Sequence, residues 1–233
     1  MQFNKSYSFI REIAMRWIWA GLLAIIFPAF AHAGERMVAA FTNTDDILNI
    51  TVSGNAVLCG TWEGGLARYD RKTGIWKAYT SLDGLANNTV TSVTVDSKNG
   101  LWVAHSNWGL SYFDGAGWNT YSALDGFLGG ASVGKICEDS DGRIWCSTSE
   151  GVYYLDGTNW VQSLGGGAAS FIAAGKDGMV WCCQNHSLVR YDGSEWRVFT
   201  DKDTGIPLSH VSNLLFDKNN VLWFALWGGD MAG

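Results

Sequence analysis

The chain has 233 residues and a net charge of −6, enough length for one large core or for a handful of small repeats. An acidic balance of this size argues against nucleic acid and anionic membrane surfaces as partners.

The first segment reads as an address. Lys5, Arg11 and Arg16 make a basic start, and residues 17–30 are an apolar run of 14 residues broken only by Pro28. A spanning helix needs roughly 20 apolar residues, so this run is short for one. Ala31-His32-Ala33 then supplies the small-x-small pattern that a signal peptidase reads. Residues 1–33 are therefore expected to be a signal peptide cleaved after Ala33, which places residues 34–233 in the periplasm or outside the cell. Its three basic residues and one acidic residue leave with it, taking the net charge from −6 to −8. No second long apolar segment follows, so no membrane span is expected in the mature chain.

Internal repetition organises the rest. One ladder runs Leu58, Trp102, Trp145, Trp181, Trp223, with steps of 44, 43, 36 and 42 residues. A second runs Trp76, Trp118, Trp160, Trp196, with steps of 42, 42 and 36. Between them lies a third series, Arg68-Tyr69-Asp70, Tyr112-Phe113-Asp114, Tyr154-Leu155-Asp156 and Arg190-Tyr191-Asp192. Three series keeping nearly the same steps define a real repeat.

Each unit reads as four short strands. In the second, residues 90–96 are rich in Val and Thr, Lys98-Asn99-Gly100 is turn chemistry, and residues 101–105 follow as a second strand. Residues 109–114 and 118–122 complete the unit, and Asp125-Gly126 opens the crossing to the next. Short strands rich in β-branched and aromatic residues, punctuated by Gly, Asn and Asp, predict an all-β chain. A period near 42 with four strands predicts the blade of a β-propeller. The ladder tryptophans are expected to fill the space between blades. The units fall roughly at 45–89, 90–132, 133–169 and 170–209, with a partial fifth at 210–233. Residues 36–42 resemble a fourth strand that could close a ring, but the last blade would still lack a strand. Truncation from a longer protein is the favoured reading, because an open edge strand invites aggregation.

Asp83-Gly84-Leu85-Ala86-Asn87-Asn88-Thr89-Val90, Asp139-Ser140-Asp141-Gly142-Arg143-Ile144-Trp145 and Gly109-Leu110-Ser111-Tyr112-Phe113-Asp114 together resemble the two-component-regulator propeller repeat. The resemblance covers about residues 45–227. It implies the sensor-type propellers found in periplasmic regions of hybrid histidine kinases and in stand-alone exported proteins. The chain departs from the kinases in having no kinase or receiver domain. Such a motif specifies a fold strongly and a ligand hardly at all.

In a propeller the crossings and the turns joining second to third strands open on one face. Those turns hold Trp62, Glu63, His105, Asn107, Trp108, Glu150, Gln184, Asn185, His186 and Trp227, the expected ligand-binding residues. The three tryptophans of the mature chain that lie outside the ladders, Trp62, Trp108 and Trp227, all fall here. Aromatics beside Glu, Asn, Gln and His suit a sugar, a small molecule or a protein ligand. No catalytic residue, metal ligand or cofactor is expected: no metal-ligand spacing, nucleophile elbow, P-loop or dinucleotide fingerprint occurs. Asp70, Asp114, Asp156 and Asp192 read as turn residues. Most of the five cysteines read as small buried side chains; if any two pair, Cys137 and Cys146, on neighbouring strands of one blade, are the candidates. The reading that emerges is an exported binding module, with a sensor input as the role the resemblance implies. The alternatives are a lyase-type enzyme using His105, His186, Glu63 and Glu150, or a structural scaffold.

Overall fold

The computed structural model describes residues 46–121 and 131–226. The expected leader, the 36–42 segment, the Asp125-Gly126 crossing and Trp227 lie outside these residues.

Four antiparallel sheets follow one another, each a four-stranded meander in chain order. Blade 1 is β1 (Ile47–Ser53), β2 (Ala56–Thr61), β3 (Leu66–Asp70) and β4 (Trp76–Tyr79). Blade 2 is β5 (Val90–Val95), β6 (Leu101–His105), β7 (Gly109–Phe113) and β8 (Trp118–Tyr121). Blade 3 comprises β9 (Val133–Glu138), β10 (Ile144–Thr148), β11 (Gly151–Asp156) and β12 (Asn159–Leu164). Blade 4 comprises β13 (Ala169–Ala174), β14 (Val180–Gln184), β15 (Ser187–Tyr191) and β16 (Trp196–Phe199). A two-stranded sheet, β17 (Val211–Phe216) with β18 (Leu222–Leu226), starts a fifth. The first strands of successive blades are neighbours, so they form the inner ring of a β-propeller from which each meander runs outward. Side chains fasten this ring: Thr51 donates to the Val93 carbonyl at 2.6 Å and Thr94 to that of Ile136 at 2.8 Å.

Helix is confined, among the described residues, to the crossing into the fifth sheet. There α1 (Asp201–Thr204) precedes a 3-10 turn at Leu208–His210. The Thr200 amide donates to Asp203 at 2.8 Å, as the Thr80 amide does to Asp83 at 2.8 Å in the crossing from blade 1 to blade 2. Both crossings thus open on the same Thr-x-x-Asp turn.

The turn between first and second strands is built around one aspartate. Asp139 Oδ1 accepts from the amides of Asp141 and Arg143, each at 2.9 Å, while Oδ2 accepts from the Trp145 indole at 2.7 Å. Asp96 repeats this with Lys98, Gly100 and Trp102, and Asp217 with Asn219, Val221 and Trp223. A carboxylate so satisfied can be buried, and it fixes both the turn and the angle of the indole beside it. Blade 4 departs from the pattern, having Gly175 in place of aspartate. A Cβ there would stand 2.5 Å from Asp177 Oδ1 and 3.1 Å from the Phe216 ring, so the neighbouring sheet has closed over the site. Its Trp181 stacks on Phe199 at 5.4 Å instead, with the Arg190 guanidinium 5.8 Å from the indole.

The two tryptophan ladders are opposite halves of one interface. The Trp102 indole meets Trp160 of the next blade edge-on at 6.2 Å, and Trp145 meets Trp196 likewise at 6.3 Å. Where blade 1 lacks the first-ladder indole, Tyr79 supplies the edge-on partner of Trp118 at 5.5 Å. Around these rings lie Val93, Leu101 and Val103 between blades 1 and 2, then Ile136, Ile144 and Cys146, then Ile172, Val180 and Cys182.

Trp223 stands apart from the other ladder tryptophans, and one candidate disulfide is not formed. Trp223 keeps its bond to Asp217 but is 58% exposed, against 4% for Trp102 and 1% for Trp145, because no described sheet stands in front of it. The Cys137–Cys146 pair does not form. Cys137 sits across from Trp145 and Cys146 across from Ile136, so the pleat sends the two thiols to opposite faces. All five cysteines are free, and burial pushes the Cys137, Cys146 and Cys182 thiols up.

The clamp predicts unequal effects from identical substitutions. Trp145→Ala is expected to lower unfolding free energy by about 3–5 kcal/mol. Trp223→Ala is expected to cost under about 1 kcal/mol. Urea denaturation of both variants at low protein concentration checks this, and equal losses would contradict the packing described.

Candidate functional site

In the four complete blades the turns joining second to third strands leave the sheet at the same end, and the described crossings between blades meet them there. Gly65 in the first such turn donates to the Asn88 carbonyl in the following crossing at 2.9 Å, and the Thr89 hydroxyl donates to the Trp62 carbonyl. The Asn107 amide donates to Ser132 Oγ at 3.3 Å, and Ser149 and Ser132 are joined through their amides. Asn185 reaches the Gly166 carbonyl at 3.3 Å. One face of the propeller therefore consists of these turns and crossings woven together. The sharp entry to the third strand explains its glycines. At Gly151, with φ +125°, a Cβ would stand 1.9 Å from the Leu164 carbonyl oxygen of the fourth strand.

The expected binding residues divide by exposure. Trp62 and Trp108 are 55% and 50% exposed, with Glu63 and Asn107 exposed next to them in the same turns, and Glu150, Asn185 and His186 are exposed in the corresponding turns of blades 3 and 4. Asn107, Asn185 and His186 hold left-handed backbones, with φ of 60°, 50° and 60°. Asparagine tolerates that region better than most residues, whereas a histidine there is uncommon. Trp227 lies outside the described residues.

His105 and Gln184 are buried. Each ends the second strand of its blade, and each holds up the loop above it. The His105 ring is wholly enclosed, with Nδ1 3.1 Å from the Thr89 carbonyl and Nε2 2.9 Å from Ser111 Oγ. A carbonyl can only accept, so Nδ1 carries the proton and the Ser111 hydroxyl donates to Nε2. Ser111 Oγ in turn accepts from the Ala86 amide at 2.9 Å. Gln184 does the same work two blades on, donating through Nε2 to the carbonyls of Gly165 at 3.0 Å and Gly167 at 2.9 Å. Thr148 occupies the corresponding place in blade 3 and donates to the Gly151 carbonyl at 2.9 Å. Ser111, Ser132 and Thr89 belong to this support and were not singled out from the sequence. The legible signal was a polar residue recurring at the end of the second strand in each of the four complete blades: Thr61, His105, Thr148 and Gln184.

The lyase-type grouping is thus not assembled on an open surface, since His105 is sealed beneath it. Among the described residues no cluster of His, Cys, Asp and Glu could hold a metal ion. Asp70, Asp114 and Asp192 organise the turns before the fourth strands. Amides of Thr73 and Lys72 hold the Asp70 carboxyl below its usual range, and those of Gly117 and Ala116 do so for Asp114. Asp192 is drawn down to about 2, chiefly by the Glu195 amide and Ser194.

Residues 84–107 and 127–150 match the two component regulator propeller family. The first match begins in the crossing from blade 1, and both pass through the first two strands of a blade and end in its second-to-third turn. The chain carries two component regulator propeller repeats. No curated protein matches it in sequence. Among solved structures it resembles the extracellular domain of BT4673 from B. thetaiotaomicron, described as a one component system, with a TM-score of 0.67 at 16% identity. It also resembles that of BT3049 from the same organism, described as a hybrid two component system, with a TM-score of 0.65 at 21% identity. In both cases 82% of this chain is covered and 27% of the other, so it spans about a quarter of those domains. A gluconolactonase from Xanthomonas campestris, XC5397, gives a TM-score of 0.53 at 15% identity over 73% of this chain and 66% of that one. At these identities the likenesses show the propeller fold, which sensors and enzymes share.

The buried imidazole makes stability depend on pH. Burial lowers the His105 pKa to about 4, opposed by the bond to Thr89. The unfolded chain binds this proton near pH 6.5 and the folded one only near 4, so the unfolded state gains on acidification. The contribution is fully present above pH 6.5 and is lost as the pH falls towards 4. The expected loss is about 2–3 kcal/mol between pH 7.5 and 4.5. Urea titrations at the two pH values, with His105→Gln in parallel, test this; a variant keeping the full pH dependence would sink the assignment.

Proposed function

We propose that the chain is an exported binding module, the ligand-contacting portion of a sensor-type propeller. Its leader ends at Ala33 and its propeller repeats occupy residues 34–233. The observation that carries this reading is the placement of Trp62 and Trp108. The ladder tryptophans of the complete inter-blade interfaces pack into the blades, whereas these two stand out on the turn face. They do so with Glu63 and Asn107 next to them in sequence and Glu150, Asn185 and His186 on the corresponding turns of blades 3 and 4, above buried props that hold the turns still. Indoles with hydrogen-bonding neighbours suit a ligand with alternating apolar and hydroxyl faces. The acidic mature chain favours a neutral ligand over an anionic one, and a neutral oligosaccharide fits both requirements. The resemblance to extracellular domains of BT4673 and BT3049 supports an extracytoplasmic location and a role in sensing.

Titration with a panel of neutral oligosaccharides, followed by intrinsic tryptophan fluorescence, tests the proposal. A ligand from the panel should bind, and Trp62→Ala or Trp108→Ala should weaken it at least about tenfold, equivalent to about 1.4 kcal/mol. A ligand whose affinity ignores both substitutions would move the site off this face. Failure of every oligosaccharide, with short peptides binding instead, would overturn the sugar class and keep the face.

A further inference from the structure

We infer that His105 is an acid-sensitive latch: taking up a proton, it releases the crossing from blade 1 to blade 2, and the Trp62 turn loses its support while the blades stay folded. The latch regulates the face assigned above to ligand binding and so rests on that assignment. Opening of the crossing is read without any ligand, so latch and binding face can fail separately.

The crossing is residues 80–89, and it is fastened on both sides. Towards blade 2, the His105 Nδ1–H donates to the Thr89 carbonyl at 3.1 Å, and the Ala86 amide donates to Ser111 Oγ at 2.9 Å. Towards blade 1, the Gly65 amide donates to the Asn88 carbonyl at 2.9 Å, and the Thr89 hydroxyl donates to the Trp62 carbonyl. Thr89 therefore belongs to both attachments. Its carbonyl takes the imidazole proton, and its hydroxyl holds the turn that carries Trp62.

These bonds suit one protonation state. In the neutral ring Nδ1 donates and Nε2 accepts from Ser111 at 2.9 Å, with both side chains wholly enclosed. A proton on Nε2 turns that acceptor into a donor. Ser111 would then have to point its own proton elsewhere while accepting from the ring and from Ala86 together. The charge would also sit away from water, which is costly unless it is paired. Lifting the crossing off the ring lets water reach both groups and removes that cost.

Charged neighbours do not set this behaviour. Asp83 in the crossing and Glu63 in the Trp62 turn are exposed, and the blade 1 face opposite carries Arg68, Lys77 and Tyr79. On either side of His105, β5 and β7 bring no acidic or basic side chain. Burial is what lowers the imidazole pKa to about 4, with the Thr89 carbonyl opposing it. Blade 4 shows the same prop without the switch. Gln184, at the same strand end, holds the carbonyls of Gly165 and Gly167 through an amide that does not titrate in this range.

Residue-resolved hydrogen exchange on the full chain tests the latch. The Ala86 and Gly65 amides should exchange through an opening that takes up one proton. Exchange relative to the intrinsic rate should then rise about 70-fold from pH 7.5 to pH 4.5, approaching about tenfold per pH unit below 6.5. Amides of β14 and β15 should exchange far more slowly at both pH values, because they need a larger unfolding. His105→Gln, which places the blade 4 arrangement in blade 2, should flatten the profile of Ala86 and Gly65. Asp83 is unchanged in that variant, so its own titration cancels from the comparison. If circular dichroism shows the variant unfolded, the steepness of the unsubstituted profile decides. A flat profile in the unsubstituted chain, or an equally steep one in a folded His105→Gln, would overturn the latch. So would Ala86 exchanging at the rate of the β14 and β15 amides at both pH values, since the crossing would then open only with the whole fold.

Discussion

The hydrogen bond from an indole to a buried aspartate is the constraint on which the rest of this structure depends. A four-stranded antiparallel sheet has two faces and covers neither by itself. Stacking blades solves that problem only if the large side chains between them take up complementary positions. In blades 2 and 3 a carboxylate in the first turn sets the tryptophan on the second strand, and that indole then receives the next blade's tryptophan edge-on. The same carboxylate closes the turn through two backbone amides. A local turn motif and a long-range packing contact thus share one residue. Agreement of that kind between local and global preference is what makes a sequence specify one fold.

Blades 1 and 4 show what happens when the clamp is relaxed. Blade 1 has Leu58 and no aspartate, and Tyr79 takes over the aromatic contact from the fourth strand. Blade 4 has Gly175, and Arg190 lies over Trp181 and Phe199 to fill the interface. The space between blades is filled in each case, but by different chemistry.

The strands of the second unit were legible almost to the residue, because the anchor series and the turn glycines punctuate the chain at every strand end. The location of the loop tryptophans followed by subtraction from the ladders. What the sequence concealed was the third dimension of each position. Cys137 and Cys146 stand nine residues apart on paired strands, yet the pleat separates them. His105 lies in a segment that faces the turns, but Thr89 and Ser111 draw its ring inward. Those partners come from a crossing and from the neighbouring strand, and no spacing rule announces them. Trp223 differs from the other ladder tryptophans for another reason. Its own strand and its own clamp are regular, and only the absence of a described sheet before it leaves it exposed.

The buried polar residues at the ends of the second strands connect fold to face. Loops are usually the least ordered part of a repeat, and an indole on a wandering loop would have to be immobilised by its ligand. Here His105 fixes the crossing that lies against the Trp62 turn, and Ser132 fixes the Asn107–Trp108 turn from the next crossing. Asn107, Asn185 and His186 add left-handed backbones that limit the alternatives open to each turn. The two exposed tryptophans are consequently carried on a frame whose order is provided by the fold. A site prepared in this way can spend contact energy on affinity, and its specificity rests on the short segments between strand ends. Those segments can change without touching the aspartate–indole clamps, because the clamps lie at the other end of each second strand.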